Sequence, residues 1–204
     1  MARPKSFDTE KVLDAAIDCF WREGLKSAST RDLASRMGIA GPSLYNAFGC
    51  KRELFGKALD RYAECIMRPG LAALEAEHGP AGAIAAFIRR AIDKALGSAE
   101  PANCLILNTA MEVGPDDGAL GGQIADYLDE VAAFFKRNLV AAKECGEIPA
   151  DTNADEAARM LLAVTLGIAV LARCRPDRTL LEGAARPALA SLTIQLTHNE
   201  RGMG

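Results

Sequence analysis

The sequence predicts an all-α protein of about nine helices, with a three-helix unit over residues 1–50 and a larger helical domain over residues 51–204. Two observations lead to this prediction. Apolar residues recur at spacings of three and four along most of the chain, which is the period of an amphipathic helix. Glycine and proline, which end helices, stand between these periodic segments. Half of the residues are hydrophobic, which provides enough apolar material for a core.

The first predicted helix follows Asp8, a good N-cap residue, and ends at Gly24. Its core-facing stripe consists of Val12, Leu13, Ala16, Ile17, Phe20 and Trp21. We expect the Trp21 ring to fix this helix onto the helix pair that follows, which is a core role.

Two short helices joined by a tight turn are predicted within residues 29–55. Ser29 and Asp32 have the spacing of a capping box, so the first short helix begins directly after Ser29. Gly38 ends that helix, because glycine adopts a left-handed backbone at little cost. Pro42 suits the first turn of the second helix, where its missing N–H is not needed.

The spacing of Ala34, Gly38 and Leu44 is typical of a helix-turn-helix, which needs a small residue where the helices cross, a turn glycine and an apolar anchor. Leu44 and Phe48 are four residues apart and would pack on one face of the second helix. The side chains left exposed are small and polar, as a helix that enters a DNA groove requires: Gly41, Ser43, Tyr45 and Asn46.

Cationic residues flank this exposed face, since Lys51 and Arg52 begin the next helix. Phosphate contacts at the edges of a recognition helix position a protein on DNA. The alternative is an ordinary helical hairpin, which is the commoner kind of helix pair. The residues themselves favour DNA binding over that alternative.

The segment SerLeuTyrAsnAlaPheGlyCysLysArgGluLeuPhe at 43–55 resembles the second and third elements of the TetR/AcrR family of bacterial transcriptional repressors. The resemblance extends from Asp8 to about Tyr62; the remainder is similar to the family only in length and helical character. It implies that Tyr45 and Lys51 bind phosphates. It also implies that the residues facing the bases are Gly41, Pro42, Ser43 and Asn46. Thr30 and Arg31 complete the predicted DNA contacts.

Two positions depart from the family pattern. Ala40 stands where members often have Ser or Thr capping the recognition helix, and Cys50 stands where they often have Ser capping the next helix. Each departure weakens an expected cap by about 1 kcal/mol without removing the motif.

Beyond the head, one long helix is predicted from Lys51 to about Glu77, with a kink or break at Pro69–Gly70 and an end at Gly79–Pro80. Further helices are predicted over 83–96 and 124–143, with loops at 114–118 and at Gly121–Gly122.

Residues 103–113 are almost all apolar but include the polar side chains of Asn108, Thr109 and Glu112. If this segment is helical, Cys104, Asn108 and Met111 share one of its faces, with Glu112 beside them. Such groups either bond to neighbours within a short helix or line a ligand cavity, and we leave both readings open. The predicted ligand-binding residues are Phe87, Cys104, Asn108, Met111, Glu112, Tyr127 and Phe134.

The last two predicted helices, about 155–174 and 178–198, carry apolar residues that need a partner surface. Residues 160–172 are apolar on all sides and should be wholly buried, by their own domain or by a partner chain. Thirteen residues are too few to span a bilayer, so we expect no membrane span. Pro187 should kink the final helix. We expect these two helices to form a homodimer interface, as the family resemblance also implies.

Charge is distributed unevenly along the chain. The first 60 residues carry ten Lys and Arg against eight Asp and Glu, whereas the remaining 144 carry 14 against 19. This asymmetry fits a DNA-binding head on an acidic body. The start of the chain lacks the pattern of a secretion signal, so we expect a cytoplasmic protein.

Six cysteines stand at wide spacings, without a CysXXCys pair: Cys19, Cys50, Cys65, Cys104, Cys145 and Cys174. This pattern excludes a strong zinc signature, and we expect free thiols that are mostly small core residues. We predict no metal and no cofactor. The chain also lacks a Gly-rich phosphate loop, a nucleophile elbow and a HisGluXXHis motif, so we expect no enzyme.

The leading prediction is a dimeric transcriptional regulator that binds a near-palindromic DNA operator, in the manner of a repressor, and is released by a small-molecule inducer. A first alternative is a repressor that senses oxidants or electrophiles through Cys50, at a helix start beside two cations, or through Cys104. A second alternative is a helical adaptor that binds protein and not DNA.

Overall fold

The computed structural model describes residues 7–97, 104–114, 117–194 and 196, apart from the side chain of Tyr45. Over these residues the chain is all-α, as predicted, and contains no strand. Its helices are α1 (Thr9–Ser27), α2 (Thr30–Arg36), α3 (Gly41–Phe48), α4 (Lys51–Tyr62), α5 (Arg68–Glu77), α6 (Pro80–Leu96), α7 (Leu105–Ala110), α8 (Ala119–Glu144), α9 (Ala154–Cys174) and α10 (Arg178–Ala190).

The residues predicted to cap the starts of α1 and α2, and the glycine predicted to end α2, do so. The predicted end of α1 at Gly24 is wrong, because the helix resumes after the non-helical Gly24 and runs to Ser27. The Asp8 carboxylate accepts the Glu10 N–H at 3.1 Å at the start of α1. The Ser29 hydroxyl accepts the Asp32 N–H at 3.1 Å at the start of α2. Gly38 has φ +65°, the left-handed backbone that turns the chain from α2 into α3.

Aromatic contacts join α1 to α4. The rings of Phe20 and Phe55 meet edge-on at 4.7 Å, and both side chains are buried. Trp21, expected to fix α1 onto α2 and α3, has its ring edge-on to Tyr62 of α4 at 5.3 Å. These pairs add to the apolar burial that holds α4 against α1.

The long helix runs from Lys51 to Glu77 without interruption, so of the predicted kink or break at Pro69–Gly70, the break is wrong. A π turn over Ala63–Met67 joins α4 to α5, and the Arg68 N–H bonds the Ala63 carbonyl across it. Proline lacks an N–H and crowds the carbonyl four residues back, so the wider turn directly before Pro69 accommodates it without ending the helix.

The chain divides into two compact units. Unit 1 comprises residues 1–69 and 105–127, and unit 2 comprises residues 70–104 and 128–204. In unit 1, α1 packs on α2, α4 and α7. In unit 2, α6, α9 and α10 pack on one another, and their buried residues form the core of that unit.

The predicted loop at Gly121–Gly122 and the predicted end of the last helix are wrong. Gly121 and Gly122 lie inside α8, because the helical pattern continues through them at the modest cost of two glycines. Within the segment 103–113 the structure forms a short helix from Leu105 to Ala110, which agrees with the short-helix alternative; residue 103 lies outside the described part of the chain. The last helix ends at Ala190, three residues after Pro187, whereas we expected it to reach 198.

Its own unit buries only one face of α9. Leu161, Thr165 and Ile168 are buried, but the side chain of Val170 is 46% exposed. The helix is therefore not wholly buried within one chain, which leaves the partner-chain alternative. With 21 residues, α9 is also long and apolar enough to cross a membrane by length and composition alone, because the helix extends beyond the 13-residue run that we considered.

The expectation that most cysteines are core residues is wrong. Cys19 is buried and Cys104 is intermediate, whereas Cys50, Cys65, Cys145 and Cys174 are exposed. All six thiols are free, as expected.

Candidate DNA interface and effector region

The helix α3 has one buried face and one exposed face. Leu44 and Phe48 are each only 2% exposed and anchor α3 in the core of unit 1. Pro42, Ser43 and Asn46 are exposed on the other face. Gly41, the first residue of α3, is half-buried and has no atom within 4 Å of an added Cβ.

The remaining predicted DNA contacts lie on either side of α3. Thr30 begins α2 and is half-buried, and Arg31 follows it and is exposed. The backbone of Tyr45 lies in α3, whereas its side chain lies outside the described part of the molecule. Lys51 begins α4, directly after Cys50.

The start of α4 keeps half of the cap that the sequence analysis expected to be weakened. The Cys50 N–H donates to the Glu53 carboxylate at 2.9 Å, which is the reciprocal half of a capping box. Cys50 itself is exposed. This half of the box uses the backbone of residue 50, so the substitution of Cys for Ser does not remove it.

The Lys51 ammonium makes contacts that the sequence analysis missed. It donates to the Lys26 carbonyl at 3.3 Å and to the Ala28 carbonyl at 2.9 Å, at the C-terminal end of α1. Carbonyls at the end of a helix lack intrahelical partners and attract cations. The sequence signal was present in Gly24, which ends the regular part of α1, but no local pattern indicates which cation binds there.

Glu112, predicted as a ligand-binding residue, also contacts the end of α1. Its carboxylate accepts the Leu25 N–H at 3.1 Å. The backbone of Gly24 is non-helical, with φ +78°, and a Cβ added to Gly24 would lie 2.6 Å from Glu112 Oε1. The carboxylate thus occupies the space that the missing side chain leaves.

The other predicted ligand residues of unit 1 have different surroundings. Asn108 and Met111 are half-buried in and after α7. Tyr127 is 4% exposed, and its hydroxyl donates to Asp60 at 2.6 Å. Burial raises the pKa of the Tyr127 hydroxyl, and the hydrogen bond to the Asp60 carboxylate raises it further.

The predicted ligand residues of unit 2 include two members of an aromatic cluster. The Phe87 ring lies 5.5 Å from that of Phe134 and 4.9 Å from that of Phe135. Phe134 and Phe135 are fully buried, and Phe87 and Cys104 are half-buried. The predicted set is therefore divided between the two units.

Unit 2 also has an open groove of about 440 Å³ between α5 and α6 that the sequence analysis did not predict. Its lining is charged for the most part and includes none of the predicted ligand residues. The lining residues are Leu74, Glu77, His78, Ala86, Arg89, Arg90, Asp93 and Lys94.

Comparison with known proteins identifies the family through two matches, one in the N-terminal part of the chain and one in the C-terminal part. Residues 12–58 match the model of bacterial regulatory proteins of the tetR family. Residues 80–188 match the tetracyclin repressor-like C-terminal domain. The chain belongs to the TetR family.

Relatives and solved structures agree with this assignment. The chain is 31% identical to an uncharacterized HTH-type transcriptional regulator of Bacillus subtilis, YezE, over 94% of this chain and 100% of the relative. It is 29% identical to the HTH-type transcriptional repressor ComR of Escherichia coli, over 84% of this chain and 82% of the relative.

A solved structure of the TetR family regulator CifR, as a cysteine mutant complexed with 26-bp operator DNA, aligns with a TM-score of 0.79. The two chains are 29% identical, and the alignment covers 93% of this chain and 99% of that one. As a TetR-family protein, this chain is a DNA-binding transcriptional regulator. The sequence-based prediction of family, fold class and regulatory function is confirmed.

Proposed function

We propose that this TetR-family regulator is a homodimeric repressor that binds a near-palindromic operator and is released by a small molecule. The observation that carries the proposal is the division of α3 into a buried apolar face and an exposed face of small and polar side chains. Such a helix fits a major groove, because short side chains let the backbone approach the bases.

Two groups of residues have separate roles in this proposal. Gly41, Pro42, Ser43 and Asn46 face the bases, with Asn46 paired to an adenine, for which an amide side chain is the usual reader. Thr30, Arg31, Tyr45 and Lys51 contact phosphates and set the position of the head without choosing sequence. The head is the segment 1–50, and the segment 51–204 binds the effector and the second subunit.

The proposed dimer forms through α9 and α10, the helices that the structure has within the predicted ranges of about 155–174 and 178–198. A row of apolar side chains that its own unit leaves half-buried or exposed on α9 supports this arrangement: Leu162, Leu166 and Val170 are spaced four residues apart and so share one face of the helix. A dimer presents its two α3 helices to successive major grooves, roughly 34–36 Å apart.

The residues proposed to bind the effector fall into two groups, one in each unit. Asn108, Met111, Glu112 and Tyr127 lie in unit 1, and Phe87, Cys104 and Phe134 lie in unit 2. A ligand shifts the equilibrium only if it binds the DNA-released state more tightly than the DNA-bound state.

We propose no catalytic step, no metal and no cofactor, and we place the protein in the cytoplasm.

Titration of the purified protein against the DNA upstream of its own gene, at low and moderate salt, tests the proposal. We expect tight binding to a near-palindrome that weakens steeply with salt. Asn46→Ala should relax preference at one base pair, whereas Tyr45→Phe should weaken binding to all sequences alike. Absence of binding to this region and to a random duplex library would favour the adaptor alternative.

A second candidate function is thiol sensing, which the exposure of Cys50 at the start of α4, beside Lys51 and Arg52, favours. Oxidation or alkylation there would disturb contacts with the DNA backbone. A Cys50→Ser, Cys104→Ser variant should then stay bound to DNA when peroxide or a quinone is added. Normal release of that variant would exclude this function.

A further inference from the structure

The C-terminal end of α1 is held from two sides within unit 1. From one side, the Glu112 carboxylate accepts the Leu25 N–H at 3.1 Å. From the other, the Lys51 ammonium donates to the carbonyls of Lys26 and Ala28 at 3.3 and 2.9 Å. One short stretch of backbone therefore connects Glu112 to Lys51, although the two side chains come from distant parts of the sequence.

The backbone at Gly24 has a conformation that allows Glu112 and Lys51 to contact the end of α1 together. Gly24 adopts φ +78° and ψ +166°, so the helix is interrupted directly before Leu25. The missing Cβ of Gly24 lets Glu112 Oε1 approach to within 2.6 Å of the place where a Cβ would lie. After this turn, the Ala28 N–H donates to the Gly24 carbonyl at 3.2 Å.

A second carboxylate from the same part of unit 1 holds the start of α4. Asp117 accepts from Arg52 at 2.5 Å, and the N–H of Gly114 donates to Asp117 at 2.7 Å. These bonds lower the pKa of the Asp117 carboxyl, the Gly114 N–H more than the Arg52 guanidinium. Glu112 thus bonds the end of α1, and Asp117 bonds the start of α4 at the residue that follows Lys51.

We propose that Glu112 is a positioning residue for DNA binding, which acts through the α1 end to set the Lys51 ammonium for a phosphate. An ammonium has three N–H donors, and the two α1 carbonyls direct two of them. The carbonyls hold the cation in place only while the turn at Gly24–Leu25 keeps its conformation, and Glu112 holds that turn. The inference rests on the proposed function, which assigns Lys51 to a phosphate.

Glu112→Ala, Lys51→Met and the double variant test the inference on a fluorescent duplex that carries the selected operator. Loss of one phosphate contact reduces the slope of log K against log salt by about 0.9. We expect both single variants to reduce the slope by about this amount for each protomer, and to weaken binding by roughly tenfold at low salt. The double variant should be no weaker than Lys51→Met, because both changes remove the same contact.

Two further variants separate positioning from a general loss of stability. Glu112→Gln keeps an oxygen that accepts the Leu25 N–H, so it should bind with a slope close to that of the wild type. Glu147→Ala is the matched control, because Glu147 also accepts a backbone N–H, that of Ala81 at 2.8 Å, but in unit 2. We expect it to lower the melting temperature and to leave the salt slope unchanged.

The inference is overturned if Glu112→Ala keeps the wild-type slope, or if its loss of affinity adds to that of Lys51→Met. If Glu112→Ala does not fold, Glu112→Met replaces it, because Met keeps a similar side-chain volume and removes the hydrogen-bond acceptor. The slope of log K against log salt is then measured for Glu112→Met. Failure of the wild-type protein to bind any duplex would instead overturn the proposed function, so the two failures are distinguishable.

Discussion

The Tyr127 hydroxyl donates a 2.6 Å hydrogen bond to Oδ1 of Asp60, the oxygen that also accepts from the Gln123 amide at 2.7 Å. The same amide donates to the Gly56 carbonyl at 3.0 Å. Side chains of α8 are thus bonded to α4 through a network in which Tyr127 is nearly buried. The hydroxyl is the donor because a carboxylate oxygen only accepts, and burial together with this hydrogen bond raises the pKa of Tyr127.

Tyr127→Phe should lower the free energy of unfolding by about 1–2 kcal/mol, because a hydrogen bond to a charged acceptor is lost. Urea denaturation followed by circular dichroism measures the change, with an unaltered m-value. The matched comparison is a cycle with Asp60→Ala, in which we expect a coupling of about 1 kcal/mol. A coupling near zero would show that the hydrogen bond does not stabilise the fold.

Gly38 and Gly41 form a matched pair for the turn before α3. Both have no atom within 4 Å of an added Cβ, but only Gly38 has a left-handed φ, of +65°. Gly38→Ala should destabilise the protein by about 1–2 kcal/mol through backbone strain alone. Gly41→Ala should leave stability unchanged or slightly raised.

The two variants should differ again on DNA. Gly41→Ala adds a methyl group to the proposed base-facing surface, so it should weaken operator binding although the protein remains stable. Thermal denaturation and fluorescence anisotropy measure the two effects separately. Equal loss of stability in both variants would contradict the strain argument.

Local features of the fold were readable from the sequence because local chemistry determines them. Ser29 supplies its hydroxyl to an N–H three residues away, and Gly38 adopts a backbone that other residues rarely adopt. The family resemblance rested on such local features. The same reasoning failed at Gly121–Gly122, where packing of α8 overrides the low helix propensity of glycine.

The contacts of the candidate site were not readable, because they join distant parts of the chain. Glu112 and Leu25 are 87 residues apart, and no periodicity relates them. From the sequence alone, Glu112 was therefore interpreted as a ligand-binding residue in an apolar segment. The exposure of Cys65 and Cys145 was missed for a related reason: hydrophobic residue types indicate burial only on average.

Cys19, which is buried, should react more slowly than the exposed thiols. Burial raises the pKa of the Cys19 thiol from 9.0 to about 11, and the Glu23 carboxylate adds to the effect. At neutral pH, iodoacetamide should modify Cys50, Cys65 and Cys145 well before Cys19, as peptide mass spectrometry measures. Modification of Cys19 at the same rate would show that α1 opens readily.

The raised pKa of Cys19 also predicts a pH dependence. The folded state holds this proton more tightly than the unfolded state, so the contribution to stability is fully present below about pH 9. It is lost as the pH rises through the folded value of about 11. Cys19→Ala should therefore show a smaller loss of stability across this range than the wild type; an identical loss would assign the dependence to other groups.

Val170 and Val140 provide a matched test of the proposed dimer. Among the described residues these are the exposed large hydrophobic side chains, 46% and 40% exposed, on α9 and α8 respectively. Val170→Asp should convert the dimer to monomer, because it would bury an unpaired carboxylate in the proposed interface. Val140→Asp should leave the dimer intact, since its charge remains in solvent. Light scattering during size-exclusion chromatography measures both masses. A dimeric Val170→Asp together with a monomeric Val140→Asp would move the interface from α9 to α8.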